Sequence, residues 1–384
     1  MPSLDGVDGI FEGSRTAYAA PPMLSGARQP QCQPQTLLRI SIELARQCNL
    51  ECTYCYTSFV RKTKTWGLAL GDAQLVVDQA VDLGAEKIVI VGGGEPFLVE
   101  WMRPTHRRNL VEYIAKKGAR IDIFTNGTLL SRRIVEWLHD LPVSVIGKLN
   151  SLDARTQDFL VGIRGAAERI YRGIDLLLSA GFARAAEPRL ALETVICRQN
   201  YDALPALWRW MRCRNIIPYV EIITVQGRAR ENRELLLFPD AEAPRKYKEL
   251  FEELLRIDRE EFGYDWVPHP PHVARRCDLY HTNCYINCHG GVQPCAGVEV
   301  ECGHLRVGEH AADGKLLADI LSSAKFKRYR RVEEYIGEPC RSCKLLSECY
   351  GCRGNCWNTT GSEFAGDHTC WRGQPVGSGV SESL

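Results

Sequence analysis

The sequence predicts an α/β protein in which a parallel sheet surrounded by helices precedes a small cysteine-rich domain. From about residue 36 to 260, short apolar runs alternate with longer amphipathic runs, which indicates six consecutive β–α units. After about residue 265 this alternation ends, and eleven of the seventeen cysteines lie between Cys277 and Cys370. We therefore expect four regions: a loosely ordered arm at 1–35, an α/β domain at 36–260, a cysteine-rich domain at 265–375 and a tail at 376–384.

The apolar runs predict six strands, and the amphipathic runs predict the helices between them. The strands are Leu37–Leu44, Lys87–Val91, Arg120–Phe124, Val143–Leu149, Arg189–Cys197 and Tyr219–Thr224. The helices lie near 72–83, 105–117, 131–140, 154–180, 203–213 and 241–258. In a parallel sheet the functional site lies beyond the carboxyl ends of the strands, and the motifs described below fall there.

Composition excludes several function classes. A net charge of +1 over 384 residues gives no electrostatic basis for binding nucleic acid or an anionic membrane. No apolar run approaches the roughly 20 residues that span a bilayer. Residues 1–35 lack the basic start and apolar core of a signal peptide, so we expect a cytoplasmic protein.

The cysteines predict metal centres. An odd number of cysteines in a long chain without an export signal argues against a disulfide framework, and clustered thiols in a reducing compartment are usually metal ligands. Cys32 and Cys213 stand apart from the clusters, and we interpret them as bystanders.

The first cysteine group follows the first strand. Cys48, Cys52 and Cys55 have the spacing C-x3-C-x2-C. Three thiolates this close can bind three corners of a [4Fe–4S] cube and leave the fourth iron open. A zinc knuckle or three buried thiols is the alternative, but no fourth ligand lies nearby at zinc spacing.

This motif resembles that of the radical S-adenosylmethionine (SAM) superfamily, and the resemblance covers about residues 36 to 230. It implies a partial (β/α)6 barrel in which SAM chelates the open iron and is cleaved to a 5′-deoxyadenosyl radical. It also implies that Tyr54 meets the adenine and that Gly93, Gly94 and Glu95 bind the methionyl amino group.

Two further strand ends match the family. Thr125 and Asn126 end the third strand, and Asn150 and Ser151 end the fourth, where the family places polar contacts to the SAM ribose and carboxylate. The segment 225–228 after the sixth strand is a looser match to the adenine-side segment.

The C-terminal cysteines resemble the SPASM domain, an extension that holds two auxiliary [4Fe–4S] clusters. This gives three clusters in all. By that match the outer cluster is held by Cys340, Cys343, Cys349 and Cys370, whereas Cys277 and Cys295 belong to the inner cluster.

The chain departs from the SPASM pattern at two ligands. Cys352 and Cys356 both miss the usual spacing after Cys349, and we favour Cys352 as the long-range ligand. The usual cysteine before Cys277 is missing. The fourth inner ligand is Cys284, Cys288 or Cys302, or the iron is open or bound by another residue type. Structural zinc sites are the competing interpretation.

Auxiliary clusters indicate net oxidation, because such clusters can accept an electron from a substrate radical. We expect an oxidoreductase that converts a sugar, aminosugar or aminocyclitol alcohol to a ketone, resembling the aminocyclitol dehydrogenases of aminoglycoside antibiotic biosynthesis. A flavodoxin or ferredoxin is the expected electron donor.

Modification of a ribosomal peptide is the main alternative. Only 47 residues precede Cys48, which is short for a fused peptide-recognition domain, although a separate protein could supply one. A sulfatase-maturing enzyme is a further possibility. A non-enzymatic iron–sulfur regulator or electron carrier does not explain the strand-end motifs.

Four residues are candidates for catalysis inside the barrel. Lys148, Glu193 and Glu221 place charges on apolar strands, and a charge facing a core needs a partner. One of them could deprotonate a substrate radical; salt bridges or contacts with SAM are the alternative roles. Cys197 is either a small core residue or a hydrogen-atom donor, and the latter would make the enzyme an epimerase.

Overall fold

The computed structural model describes residues 37–57, 67–184, 187–266, 268, 277, 279–367 and 369–371. The expected arm at 1–35, Cys32 and the tail at 376–384 lie outside the described residues. Among the helices described, none has the length and apolar character needed to cross a bilayer.

One sheet runs through the described chain in the order β6-β5-β4-β3-β2-β1-β7-β8-β9. Strands β1 to β6 are parallel to their neighbours and form the partial barrel, which confirms the predicted fold class. The short strand β7 pairs with β1, and β8 and β9 follow it antiparallel. The strands are β1 Arg39–Glu43, β2 Lys87–Val91, β3 Arg120–Thr125, β4 Val143–Lys148, β5 Leu190–Ile196, β6 Ile217–Ile222, β7 Tyr285–Ile286, β8 Gly291–Gln293 and β9 Gly303–His304.

Helices cover the outer side of the six parallel strands, and short helices dominate the cysteine-rich part. The longer helices are α1 Leu70–Asp82, α2 Leu110–Lys116, α3 Arg132–His139, α4 Ala154–Val161, α5 Ala166–Ala180, α6 Leu204–Arg212 and α9 Ala243–Ile257. The others are α7 Arg228–Glu231, α8 Arg233–Leu236, α10 Leu279–Thr282, α11 Leu317–Ser322, α12 Ala324–Arg330, α13 Val332–Tyr335 and α14 Arg353–Thr360.

The prediction of a single helix at 154–180 is wrong, because a short turn separates α4 from α5. Gly162 ends α4 with φ 72°, a left-handed conformation that favours glycine. A Cβ atom at Gly162 would lie 2.1 Å from the backbone oxygen of Glu51, in the loop that carries the first cysteines. The break therefore lets α4 pack against that loop.

Two other predicted boundaries move. The helix expected from residue 105 begins at Leu110, because the Asn109 side chain caps it by accepting from the backbone N–H of Val111 at 2.8 Å. Strand β6 begins two residues earlier than predicted and includes Pro218. Proline is tolerated there because β6 is the edge of the sheet.

Side chains of β4, β5 and β6 alternate between two environments. Leu190, Leu192 and Ile196 belong to the large core between sheet and helices, whereas Ala191 and Val195 face the barrel interior with neighbours from β4 and β6. Glu193 and Cys197 share the inward parity of Ala191 and Val195. The alternation therefore directs the predicted catalytic residues into the barrel.

Candidate active site in the barrel and the cysteine-rich domain

The loop after β1 brings together Cys48, Cys52 and Cys55. Burial raises the pKa of Cys48 to about 11 and that of Cys52 to about 12, and the charge of Cys55 adds to both shifts. Thiols bind metal as thiolates, so a metal centre bound here would have to offset the burial and mutual repulsion that oppose ionisation of these three side chains. In the described residues no three Cys, His, Asp or Glu side chains converge on a single metal position. An iron–sulfur cube binds each cysteine at a different corner, so its ligands need not converge.

Neighbouring segments hold the backbone of this loop. The N–H groups of Glu51 and Thr53 donate to the oxygens of Val161 and Leu160 at 3.0 and 2.9 Å. The oxygen of Cys55 accepts from the N–H of Arg228 at 2.9 Å. The cysteines therefore sit on a loop fixed by the end of α4 and the start of α7.

The glycine segment after β2 packs directly against the same loop. A Cβ atom at Gly94 would lie 2.0 Å from the Gln47 oxygen, and one at Gly93 would lie 2.1 Å from Glu43 Oε1. The N–H of Glu95 donates to the Gln47 oxygen at 2.7 Å. Only glycine permits this approach, so the two glycines let the segment after β2 lie directly against the start of the cysteine loop.

Glu95 connects the ends of β2 and β3. Its carboxylate accepts from Thr125 Oγ1 and from the N–H of Asn126, both at 2.8 Å. Burial raises the pKa of Glu95 to about 7, opposed by these hydrogen bonds. The side chain of Asn126 in turn donates to Asn49 Oδ1 at 2.9 Å and lies 3.8 Å from Cys48 Sγ. Glu95 thus positions Thr125 and Asn126 beside the cysteine loop.

Asn150 fixes the aromatic ring of Tyr54. Its Nδ2 donates to Tyr54 Oη at 2.7 Å, and its Oδ1 accepts from the N–H of Val195 at 3.0 Å. Gln157 Oε1 accepts from the N–H groups of Asn150 and Ser151 at 2.9 and 3.0 Å. The Asn150 side chain is therefore used within the protein, and Ser151 lies beside it at the same strand end.

Lys148, Glu193 and Glu221 meet inside the barrel as one charged layer. Lys148 Nζ lies 3.0 Å from Glu193 Oε1 and 3.9 Å from Glu221 Oε1. It also lies 5.1 Å from the centre of the Tyr54 ring. An apolar cluster packs on one side of the layer, and the side chains of Tyr54, Val195, Cys197 and Ile223 form a second cluster on the side of the strands' carboxyl ends.

The protonation states within this layer differ. Burial alone would lower the pKa of Lys148, but the charges of the two carboxylates outweigh burial and raise it. Burial and the charge of Glu193 raise the pKa of Glu221 well above its ordinary value. Burial opposes ionisation of Glu193 as well, yet attraction to Lys148 lowers its pKa overall. The layer thus combines one amino group with two carboxyl groups whose pKa values are displaced in opposite directions.

Cys197 lies at the end of β5 beneath Tyr54 and is almost completely buried. Its thiol donates to Asn200 Oδ1 at 3.3 Å. Burial raises its pKa to about 11. The thiol is therefore protonated and faces the interior.

Glu43, Tyr56 and Tyr285 are interior residues that the motifs do not reveal. Glu43 Oε2 accepts from Tyr285 Oη at 2.7 Å, and Glu43 Oε1 accepts from Arg46 Nε at 2.8 Å. Tyr56 Oη donates to the oxygen of Gly92. Glu43 is a charged residue at an inward position of an apolar strand, as Lys148 is. The same sequence pattern could therefore have identified Glu43 as an interior residue.

In the cysteine-rich part, Cys277, Cys295 and Cys352 gather around Tyr280. The Tyr280 hydroxyl lies 3.6 Å from Cys295 Sγ. Burial raises the pKa of Tyr280, and the charges of all three thiols add to the rise. The structure therefore places Cys352 with the two cysteines expected at the inner cluster.

The outer cysteines come from turns. Cys340 and Cys349 act on each other electrostatically, and Cys340 Sγ accepts from the N–H of Asp367 at 3.4 Å. The N–H of Cys343 donates to the Cys340 oxygen at 3.2 Å, and the N–H of Cys370 donates to the Asp367 oxygen at 3.3 Å. Asp367 thus links both ends of this group.

The other tail cysteines occupy separate surroundings. Cys284 is buried near Cys302 and Arg330, and burial raises its pKa to about 12. Cys288 is hydrogen-bonded to Glu43 at the barrel interior. Cys356 is fully buried, within electrostatic range of Cys340 and Cys352.

The sequence matches the radical SAM superfamily over residues 42–210 and an iron–sulfur cluster-binding domain, SPASM, over residues 277–344. The chain contains a radical SAM domain followed by a SPASM domain. The two domains imply [4Fe–4S] clusters and SAM as cofactors, and the cysteine thiols grouped in each domain fit that donor set.

Two curated relatives span most of the chain. The AdoMet-dependent heme synthase of Nitratidesulfovibrio vulgaris is 26% identical over 383 residues, covering 91% of this chain and 96% of that protein. The PqqA peptide cyclase of Granulibacter bethesdensis is 28% identical over 343 residues, covering 85% of both chains.

The fold is similar to that of SuiB from Streptococcus suis, solved bound to the precursor peptide SuiA. The TM-score is 0.63 at 20% identity, covering 88% of this chain and 76% of SuiB. At this identity the similarity concerns the fold.

Proposed function

We propose that this radical SAM protein oxidises a peptide substrate and transfers the electron of the substrate radical to an auxiliary cluster. The charged layer of Lys148, Glu193 and Glu221 supports the reaction type, because it places an ionised base inside the barrel. The similarity to PqqA peptide cyclase over 85% of the chain supports the substrate class.

The ligand sets belong to the same proposal. Cys48, Cys52 and Cys55 hold the first cluster, and Cys277, Cys295 and Cys352 hold the inner auxiliary cluster. Cys340, Cys343, Cys349 and Cys370 hold the outer one. When bound, the first cluster and SAM supply the 5′-deoxyadenosyl radical, and the auxiliary clusters supply an electron acceptor.

Within the barrel, the 5′-deoxyadenosyl radical supplied by bound SAM would take a hydrogen atom from a substrate C–H bond and leave a carbon radical. Glu193 would then accept a proton from a group attached to that carbon. The auxiliary clusters held by the C-terminal cysteines would accept the remaining electron, so that the substrate undergoes a two-electron oxidation. Lys148 Nζ lies 3.0 Å from Glu193 Oε1, and its positive charge keeps Glu193 ionised. The protonated Glu221 donates a hydrogen bond to a polar group of the substrate. Tyr54, held by Asn150, lies above this layer on the SAM side.

Oxidation of a sugar, aminosugar or aminocyclitol alcohol is the second candidate. The charged layer supports it, because a hydroxyl or amino group of such a molecule can hydrogen-bond to both carboxyl groups. In this reaction Glu193 takes the hydroxyl proton of the radical and a ketone forms. In either reaction a cytoplasmic flavodoxin or ferredoxin would reduce the first cluster.

An anaerobic screen distinguishes the candidates. Reduced protein and SAM are incubated with a peptide library, with aminocyclitols or with a heme precursor, and 5′-deoxyadenosine is quantified. We expect a peptide to raise 5′-deoxyadenosine above the substrate-free level and to lose two hydrogens by mass spectrometry. The C48A/C52A/C55A variant is the matched control. Stimulation by aminocyclitols or the heme precursor and not by any peptide would overturn the proposed substrate class.

A further inference from the structure

Arg353 is a fully buried guanidinium with three of its five N–H donors unused. Its side chain is 1% exposed and lies at the start of α14. Nη1 donates to the oxygens of Glu363 and Ala365 at 3.2 and 2.5 Å. In the described part of the chain, Nε and Nη2 have no hydrogen-bond partner. A buried charge with unpaired donors is costly unless an anionic acceptor completes it.

The unpaired donors lie among the auxiliary cysteines. The Arg353 charge favours ionisation of the Cys340, Cys352 and Cys356 thiols, and the charge of Asp367 opposes it at the same three thiols. Gly351 has φ 68°, and a Cβ atom there would lie 2.9 Å from Arg353 Nη2. The guanidinium is thus packed against the segment between Cys349 and Cys352.

The nearest carboxylate already has other partners. Asp367 Oδ2 accepts from the N–H of Cys352 at 2.7 Å, and Asp367 Oδ1 accepts from Thr369. A Cβ atom at Gly351 would lie 2.8 Å from Asp367 Oδ2, so this carboxylate borders the same glycine as Arg353, but no hydrogen bond joins the two side chains among the described residues. Asp367 therefore leaves Nε and Nη2 of Arg353 unpaired.

We infer that Arg353 is the counter-charge of the auxiliary clusters and raises the reduction potential of the one held by Cys340, Cys343, Cys349 and Cys370. Reduction of that cluster adds one electron and no proton, so it adds one negative charge. A fixed positive charge in a dry environment stabilises the reduced state over the oxidised state. This inference rests on the ligand sets proposed above and makes Arg353 a positioning residue for the electron transfer.

The test compares three substitutions, each made in the full chain that also carries C48A/C52A/C55A. This triple variant is the parent protein, and because it lacks the first cluster, only the auxiliary clusters are titrated. R353Q removes the buried charge, R353K keeps it, and R341Q removes an exposed charge next to Cys340. Midpoint potentials are measured by EPR during anaerobic reductive titration, and iron is counted for each variant.

We expect R353Q to keep its iron and to disfavour reduction at least tenfold, about 59 mV for a one-electron couple. R353K and R341Q should stay within about threefold of the parent, since one keeps the charge and solvent screens the other. A parent without auxiliary iron would refute the ligand sets. An unchanged potential in iron-replete R353Q would refute the Arg353 inference alone. If R353Q loses iron, the midpoint potential of R353K decides the question. A potential equal to that of the parent protein supports the inference, and a tenfold shift contradicts it.

Discussion

The barrel and the cysteine-rich domain hold their thiols in different ways. Residues 48–55 form one loop, and the end of α4 and the start of α7 hold its backbone by hydrogen bonds. The auxiliary thiols come from several segments between Cys277 and Cys370, where strands have two or three residues and many contacts are single turns. We therefore expect the barrel loop to keep its conformation without iron, and the cysteine-rich domain to depend on its clusters for order.

The largest expected effect tests the independence of the barrel. The C48A/C52A/C55A variant should lose about four irons and all 5′-deoxyadenosine formation, because SAM cleavage requires the open iron. Its thermal unfolding midpoint should change by only a few degrees, because neighbouring backbone holds the loop. Iron analysis, product chromatography and calorimetry measure these quantities. A collapse in thermal stability would show that the barrel also needs its cluster.

The second effect separates the two regions by function. Cys349→Ala should still form 5′-deoxyadenosine but lose at least about tenfold in oxidised product, because the electron lacks its acceptor. It should also unfold at a lower temperature than the triple alanine variant. Cys213→Ser, an exposed thiol, is the control. Normal product yield from a folded Cys349→Ala protein without the outer cluster would contradict this division.

The third effect lies within the barrel and compares its two carboxyl groups. Glu193→Gln removes the ionised base and should slow product formation about 100-fold. Glu221→Gln keeps a neutral hydrogen-bond donor in place of a protonated carboxyl group, and the loss should stay below about tenfold. Single-turnover product formation measures both rates. Equal losses would show that the two residues share one role.

The smallest effect concerns Cys197. Net oxidation returns no hydrogen atom to the substrate, so Cys197→Ala should form product at a rate within about threefold of the wild type. The small loss that we expect comes from repacking around the smaller buried side chain. Product formed in deuterium oxide should carry no deuterium at the reacting carbon. Incorporation by the wild type and its loss in the alanine variant would make Cys197 a hydrogen-atom donor and the enzyme an epimerase.

The sequence alone determined the elements whose information is local. The C-x3-C-x2-C motif, the glycine segment and the strand ends each lie within a few residues, and the family they predict is confirmed. All six predicted strands agree with the structure to within two residues at each end, because apolar runs report burial directly. The helix at 154–180 was mispredicted because a tertiary contact, Gly162 against Glu51, decides its break.

Only the tertiary structure decided which distant side chains meet. Lys148, Glu193 and Glu221 were recognised as charges on separate strands, but their contacts and unequal protonation depend on strand register and shared burial. Glu43 and Tyr285 meet across 242 residues because β7 pairs with β1, which no local pattern encodes. The role inferred for Arg353 likewise depends on its burial, since an arginine after a cysteine carries no signal in the sequence until its surroundings exclude water.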